Sequence, residues 1–107
     1  MKKLVRLVRL NGLQYNANRD PQAYRRVAGA PFRIEALIED GAPVRCTLRD
    51  ATGKAIVADD VSGGATFAHD LRFDAPGAYV VTLDVERGSE RFAQDLRLDV
   101  LAHAWVG

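Results

Sequence analysis

The side chains able to do covalent or metal chemistry are few in this sequence and far apart: one cysteine, Cys46, and two histidines, His69 and His103. No two of them stand at the short spacings that gather ligands around zinc, so no metal site is expected from them. Nucleophilic catalysis needs a thiol or hydroxyl beside a base. Cys46 alternates with Val44 and Leu48 in an extended run, where burial leaves a thiol inert, and Ser62 and Ser89 fall in polar loops with no histidine near them in sequence. No Gly-x-Ser-x-Gly elbow, phosphate-cradling loop or dinucleotide fingerprint occurs. The chain is therefore expected to be no enzyme and to hold no cofactor. Carboxylates leave one further option: Glu39-Asp40 and Asp59-Asp60 would offer oxygens to calcium if their loops met at one end of the fold, and turn chemistry explains them equally well.

Charge is distributed unevenly along the chain. The first 26 residues carry seven basic side chains (Lys2, Lys3, Arg6, Arg9, Arg19, Arg25 and Arg26) against Asp20 alone, whereas the remainder carries eight basic and thirteen acidic side chains. A basic arm thus precedes an acidic body. Two readings follow: the arm docks on the body with its charges matched by nearby carboxylates, or Lys2, Lys3, Arg6, Arg9, Arg25 and Arg26 meet an anionic partner. The body's own negative charge argues against nucleic acid. The tail 102–107 holds the only tryptophan, Trp105, which either folds back over the end of the core or anchors a partner.

The length of 107 residues suits one core, and 48% apolar with 27% charged residues is an ordinary globular composition. No run approaches the roughly 18 apolar residues of a spanning helix. The basic opening resembles that of a signal peptide, but Arg6 and Arg9 interrupt its apolar stretch. With a single cysteine and no disulfide framework, the expectation is a cytoplasmic protein.

What must position these side chains is a set of short strands. Phe32, Ile34, Ala36 and Ile38 alternate with Arg33, Glu35, Leu37 and Glu39, the period of a half-buried strand, before the turn residues Asp40-Gly41-Ala42-Pro43. Val44, Cys46 and Leu48 repeat the pattern. A hairpin loop at 50–54 returns as a short strand at 55–58, and 59–64 reads as loop. Phe67, His69, Leu71 and Phe73 share one parity. Tyr79, Val81, Leu83 and Val85 form the next strand, which turns at Glu86-Arg87-Gly88-Ser89 into a last strand with Phe92, Leu96, Leu98 and Val100. Near the start, Leu4, Val5, Leu7, Val8 and Leu10 fit spacings of three and four, which leaves a basic amphipathic helix open; the valine content and the Asn11-Gly12 turn favour a strand. Asp20-Pro21 followed by 22–26 reads as one helical turn, capped by aspartate and ended by basic residues. These elements predict an all-β sandwich of about seven antiparallel strands. The basic segment 1–27, the sandwich 28–101 and the tail 102–107 together form one domain.

Four stretches carry a family resemblance: Ala28-Gly29-Ala30-Pro31-Phe32-Arg33-Ile34-Glu35-Ala36, Asp40-Gly41-Ala42-Pro43-Val44, Asp50-Ala51-Thr52-Gly53-Lys54 and Phe73-Asp74-Ala75-Pro76-Gly77-Ala78-Tyr79-Val80-Val81-Thr82-Leu83. Together they resemble bacterial immunoglobulin-like domains of the PKD-like and filamin-like kind. The resemblance implies an immunoglobulin-like β-sandwich, with Gly77 and Tyr79 at the corner where a tyrosine hydroxyl turns back to the chain, and Val81 where antibody domains place a disulfide cysteine. It carries no functional residues, since such sandwiches serve many tasks. The functional expectation is a non-catalytic protein-interaction module that binds another protein or itself through an edge strand, the basic arm or the Trp105 tail. A ligand-binding accessory domain for carbohydrate or calcium is the alternative.

Overall fold

The computed structural model describes residues 4–14 and 25–102. Nine strands occur among them: β1 (Val5–Leu10), β2 (Leu13–Gln14), β3 (Arg25–Val27), β4 (Phe32–Ile38), β5 (Val44–Arg49), β6 (Ala55–Val61), β7 (Thr66–Leu71), β8 (Gly77–Arg87) and β9 (Glu90–Leu101). They form a four-stranded sheet in the order β2-β1-β4-β7 and a five-stranded sheet in the order β3-β9-β8-β5-β6. The described residues contain no helix, and hence none long and apolar enough to cross a membrane.

Period-two alternation turns one row of each long strand inward. Phe32, Ile34, Ala36 and Ile38 of β4 and Val44, Cys46 and Leu48 of β5 meet Val81, Leu83 and Val85 of β8 and Leu96, Leu98 and Val100 of β9, all of them buried. Phe67 and Leu71 of β7 complete this core, with Val5, Val8 and Leu10 of β1. The longest pairing, β8 with β9, runs unbroken from Gly77 opposite Val100 to Arg87 opposite Glu90.

The N-terminal ambiguity has a structural cause. Residues 5–10 form a strand, but its register on β4 shifts between Val5 and Leu7, the signature of a β-bulge. The extra residue lets Val5 and Val8, three apart, both reach the core, so a bulged strand imitates helical spacing. The strand then reverses through Asn11 (φ 54°) and Gly12 (φ 82°), both left-handed as a two-residue type I′ turn requires. Asn11 is held to β4 twice: its N–H donates to the Arg33 carbonyl at 2.8 Å and its Oδ1 accepts from the Arg33 N–H at 2.9 Å.

Four expectations need correction. Arg25 and Arg26 do not end a helical turn but open β3; the rest of that turn, 20–24, lies outside the described residues. Not all pairing is antiparallel, because β3 lies parallel to β9 with Arg25 opposite Asp99 and Val27 opposite Leu101. Pairing with β9 sets the extended conformation of Arg25–Val27. The strand count rises from about seven to nine because β2 and β3, two and three residues long, are too short to show a period. Finally, β6 runs on to Val61 instead of ending at Ala58, since pairing with β5 through Arg45–Asp60 and Val44–Val61 supports residues whose polarity alone suggests loop.

Candidate functional site

The basic arm is drawn into the body's charge pattern. Arg6 reaches Glu39 at 3.0 Å and Asp40 at 3.4 Å. Arg9 stands opposite Glu35 across the β1–β4 pairing. Arg25 lies 3.7 Å from Asp99, and Arg26 donates to the Arg25 carbonyl at 2.7 Å. Lys2, Lys3 and Trp105 lie outside the described residues, as does His103. Among the described residues, the arm's arginines thus stand on both sheets, Arg6 and Arg9 on β1 and Arg25 and Arg26 on β3.

The outward face of the five-stranded sheet is a ladder of alternating charge. Its centre is Asp84, on the solvent side of β8 yet only 2% exposed. Arg91 covers it with two parallel hydrogen bonds, Nε to Oδ1 at 2.9 Å and Nη2 to Oδ2 at 2.7 Å, the fork geometry of the stronger ion pairs. Arg49 approaches from β5 at 3.5 Å. Above and below this centre, Arg45 pairs with Asp60, Thr82 donates to Asp95, and Arg97 pairs with Asp99. The Arg91 hydrogen bonds hold the Asp84 carboxyl below its ordinary value, and its burial opposes them.

A group whose folded pKa is depressed stabilises the fold above its unfolded pKa, and that stability disappears as pH falls through the folded value. Asp84→Asn is therefore expected to lower stability by about 2 kcal/mol near neutral pH and to flatten its decline below about pH 4. Urea unfolding of both proteins across the acid range measures both effects.

At one end of the sandwich the loops after β4 and β6 meet. Gly64 N–H donates to the Ile38 carbonyl at 3.2 Å, and the Glu39 N–H donates to the Leu4 carbonyl at 2.9 Å. The loops converge as a calcium site would require, but a guanidinium stands there. Arg87 donates through Nε to the Ala42 carbonyl at 2.7 Å, through Nη2 to Glu39 O at 2.9 Å and through Nη1 to Asp40 O at 3.5 Å. The nearby carboxylates face Arg6 and Arg45. Among the described residues no three histidine, cysteine, aspartate or glutamate side chains gather as metal ligands.

At the other end Tyr79 sends its hydroxyl back to the Ala75 carbonyl at 2.6 Å, four residues upstream. Its ring stacks on Phe73 with centroids 4.1 Å apart, and Phe73 meets Phe32 edge-on at 6.0 Å. This clamps the turn that leads into β8 onto the core. Tyr79→Phe keeps the stack and loses the hydrogen bond, and should cost about 1 kcal/mol in a thermal or urea melt.

Cys46 is fully buried, and its thiol is pushed up to about 11, first by burial and then by the charge of Asp59. Raised in the folded state, this group stabilises the protein below the ordinary thiol range and loses that contribution as pH rises through about 11. The native thiol should resist an alkylating reagent at neutral pH and react fully once the chain is unfolded; rapid native labelling would contradict this placement. His69 is half-buried on the core-facing side of β7, opposite Ile34.

The remaining feature is a cleft on the flank where β1 and β9 face each other. It is an open cleft of about 140 Å³ lined by Val5, Arg6, Leu7, Val8, Gln14, Phe92 and Gln94. The sheet pairings explain it: β2 covers only Arg9 and Leu10 of β1, and β3 covers only Asp99 to Leu101 of β9. Among the described residues, no strand pairs with Val5–Val8 or with 90–98 on that side. The sequence pattern did not single out Asp84, Arg87 or this cleft. A hairpin register drawn from the Gly88 turn would have brought Arg91 within reach of Asp84, whereas nothing local signals Arg87 or the cleft. No protein-family model matches the chain, and no curated protein matches it.

Proposed function

We propose that this chain is a non-catalytic protein-interaction module on an immunoglobulin-like sandwich, and that it takes an extended segment of a partner protein on the β1–β9 flank. Strand order supports the immunoglobulin-like reading: β4 and β7 face a sheet ordered β9-β8-β5-β6, with chain crossings between sheets at β4–β5, β6–β7 and β7–β8, as in a Greek key. The Tyr79–Ala75 hydrogen bond at the entry to β8 supports it as well.

The observation that carries the docking reading is the cleft. Val5, Leu7, Val8 and Phe92 give it apolar contacts, Gln14 and Gln94 add two amides and Arg6 a guanidinium, and two strand stretches beside it have a side without a partner among the described residues. A space of this size holds one apolar side chain, since an engineered cavity of about 150 Å³ accommodates benzene. Backbone groups along β1 or β9 would supply strand-type hydrogen bonds to either side of that anchor. Elsewhere the exposed charges largely satisfy one another, and a matched ladder offers a partner little net attraction.

The test is size-exclusion chromatography with light scattering on the chain and on its complex with a partner recovered from source lysate. Amide hydrogen exchange then maps the contact. Protection at 5–8 and 92–94, lost together with binding in Leu7→Glu and Gln94→Arg, is the expected result. Protection confined to another surface, or a complex that survives both substitutions, overturns the assignment.

A further inference from the structure

We infer that Asp59 keeps the β6 edge closed to strand addition by a second copy of this chain. β6 ends the five-stranded sheet and pairs only with β5 among the described strands, so one side of it carries unpaired backbone groups. Its composition invites pairing: Ala55, Ile56, Val57, Ala58 and Val61 are apolar, and Ile56 is 41% exposed. An edge strand of that kind is a template for self-association unless something interrupts it.

The interruption is visible in the register. Val57 lies opposite Leu48, Asp59 opposite Cys46 and Val61 opposite Val44, and all three β5 partners are buried in the core. Asp59 therefore occupies the core-facing row of the edge strand and stays exposed only because nothing pairs beyond it. Its charge reaches the Cys46 thiol, which fits that position. A strand added along β6 would place a residue roughly 5 Å from Asp59 on this face and remove its water.

Symmetric antiparallel pairing offers no escape, because bonded and non-bonded residue pairs alternate and one residue must oppose its own mate. Centred on Val57 the pairing sets Asp59 against Ala55 of the copy; centred on Ala58 it sets Asp59 against Val57; centred on Asp59 it opposes two carboxylates. Each register strands the charge. Asp60 differs, since it lies on the outward row and pairs with Arg45 in water at 3.1 Å. The register shift between Leu48 and Arg49, a bulge at Ile56, disrupts the same edge.

The other edge of that flank, β7, also has an ionisable residue, His69, on its core-facing row. On the β1–β9 flank the corresponding row holds Val5, Val8, Phe92 and Gln94 around the cleft, while Glu90 of that row stands at the hairpin end opposite Arg87. One flank is guarded and the other is open. This inference concerns the guarded flank and stands whether or not the open one binds a partner.

The experiment is light scattering over a concentration series on the purified chain, with Asp59→Val, Asp59→Asn, Asp59→Lys and Asp60→Asn, each checked for a cooperative melt. Asp59→Val is expected to associate roughly tenfold or more tightly than the parent. Asp59→Asn should follow in the same direction, with new exchange protection along 55–61. Asp59→Lys restores a charge and should match the parent, as should Asp60→Asn. Should Asp59→Val fail to fold, Asp59→Asn carries the comparison. Folded variants that lack the charge yet keep the parent's association state overturn the inference, and so does association of Asp59→Lys equal to that of Asp59→Val.

Discussion

Gly63→Ala is expected to destabilise the protein by about 3 kcal/mol or more, although it adds a single methyl group. A Cβ at this position would fall inside the carbonyl oxygen of Gly41 and close on that residue's amide nitrogen. The obstacle is backbone, so no side chain can rotate away. Relief requires separating the loop after β4 from the loop after β6, which breaks the hydrogen bonds from Gly64 N–H to the Ile38 and Glu39 carbonyls. Those loops also align the Arg6 contacts with Glu39 and Asp40, so the change should spread to the start of β1. Urea unfolding of Gly63→Ala beside the parent gives the cost. An effect below about 1 kcal/mol would mean that the loops separate easily and that the close approach contributes little.

Arg87→Ala should cost about 3 kcal/mol by removing the group that gathers the carbonyls of Glu39, Asp40 and Ala42. The two shorter bonds, 2.7 and 2.9 Å, come from a charged donor and outweigh an ordinary surface contact. Arg87→Lys separates charge from shape: an ammonium keeps the positive charge but lacks the planar fork that spans separate carbonyls, so it should recover less than half of the loss. Gly41 belongs to the same arrangement, since its backbone has φ +137° and a Cβ there would approach the Arg87 guanidinium to 2.9 Å. Combining Arg87→Ala with Gly63→Ala should cost less than the sum of the single changes, because both open the same pair of loops. Additive costs would show that guanidinium and close approach act independently.

Several elements were legible because a half-buried strand writes its burial into its own residues. Phe32, Ile34, Ala36 and Ile38 repeat every second position, and so do Val81, Leu83 and Val85; each row lies in the core. The Gly88 hairpin was readable for the same local reason. The β1 bulge blurred that signal, since Val5 and Val8 face one way at a spacing of three. β3 was misread because three residues show no period and its cap-like neighbours pointed to a helix. At the candidate site, the basic arm was legible as charge, but its dispersal over Glu39, Asp40 and Asp99 was not.

Composition and spacing by themselves determined the fold class, all-β among the described residues. Which polar groups meet was decided only by the tertiary structure. Arg87 lies 45 residues from Ala42, and Asp59 becomes a guard only because β6 falls at the end of a sheet. Side-chain alternation depends on a residue's nearest neighbours along the chain, which the sequence displays directly. Edges, clefts and gathered carbonyls depend on which strands lie side by side, and that order is fixed when all the apolar rows are buried at once.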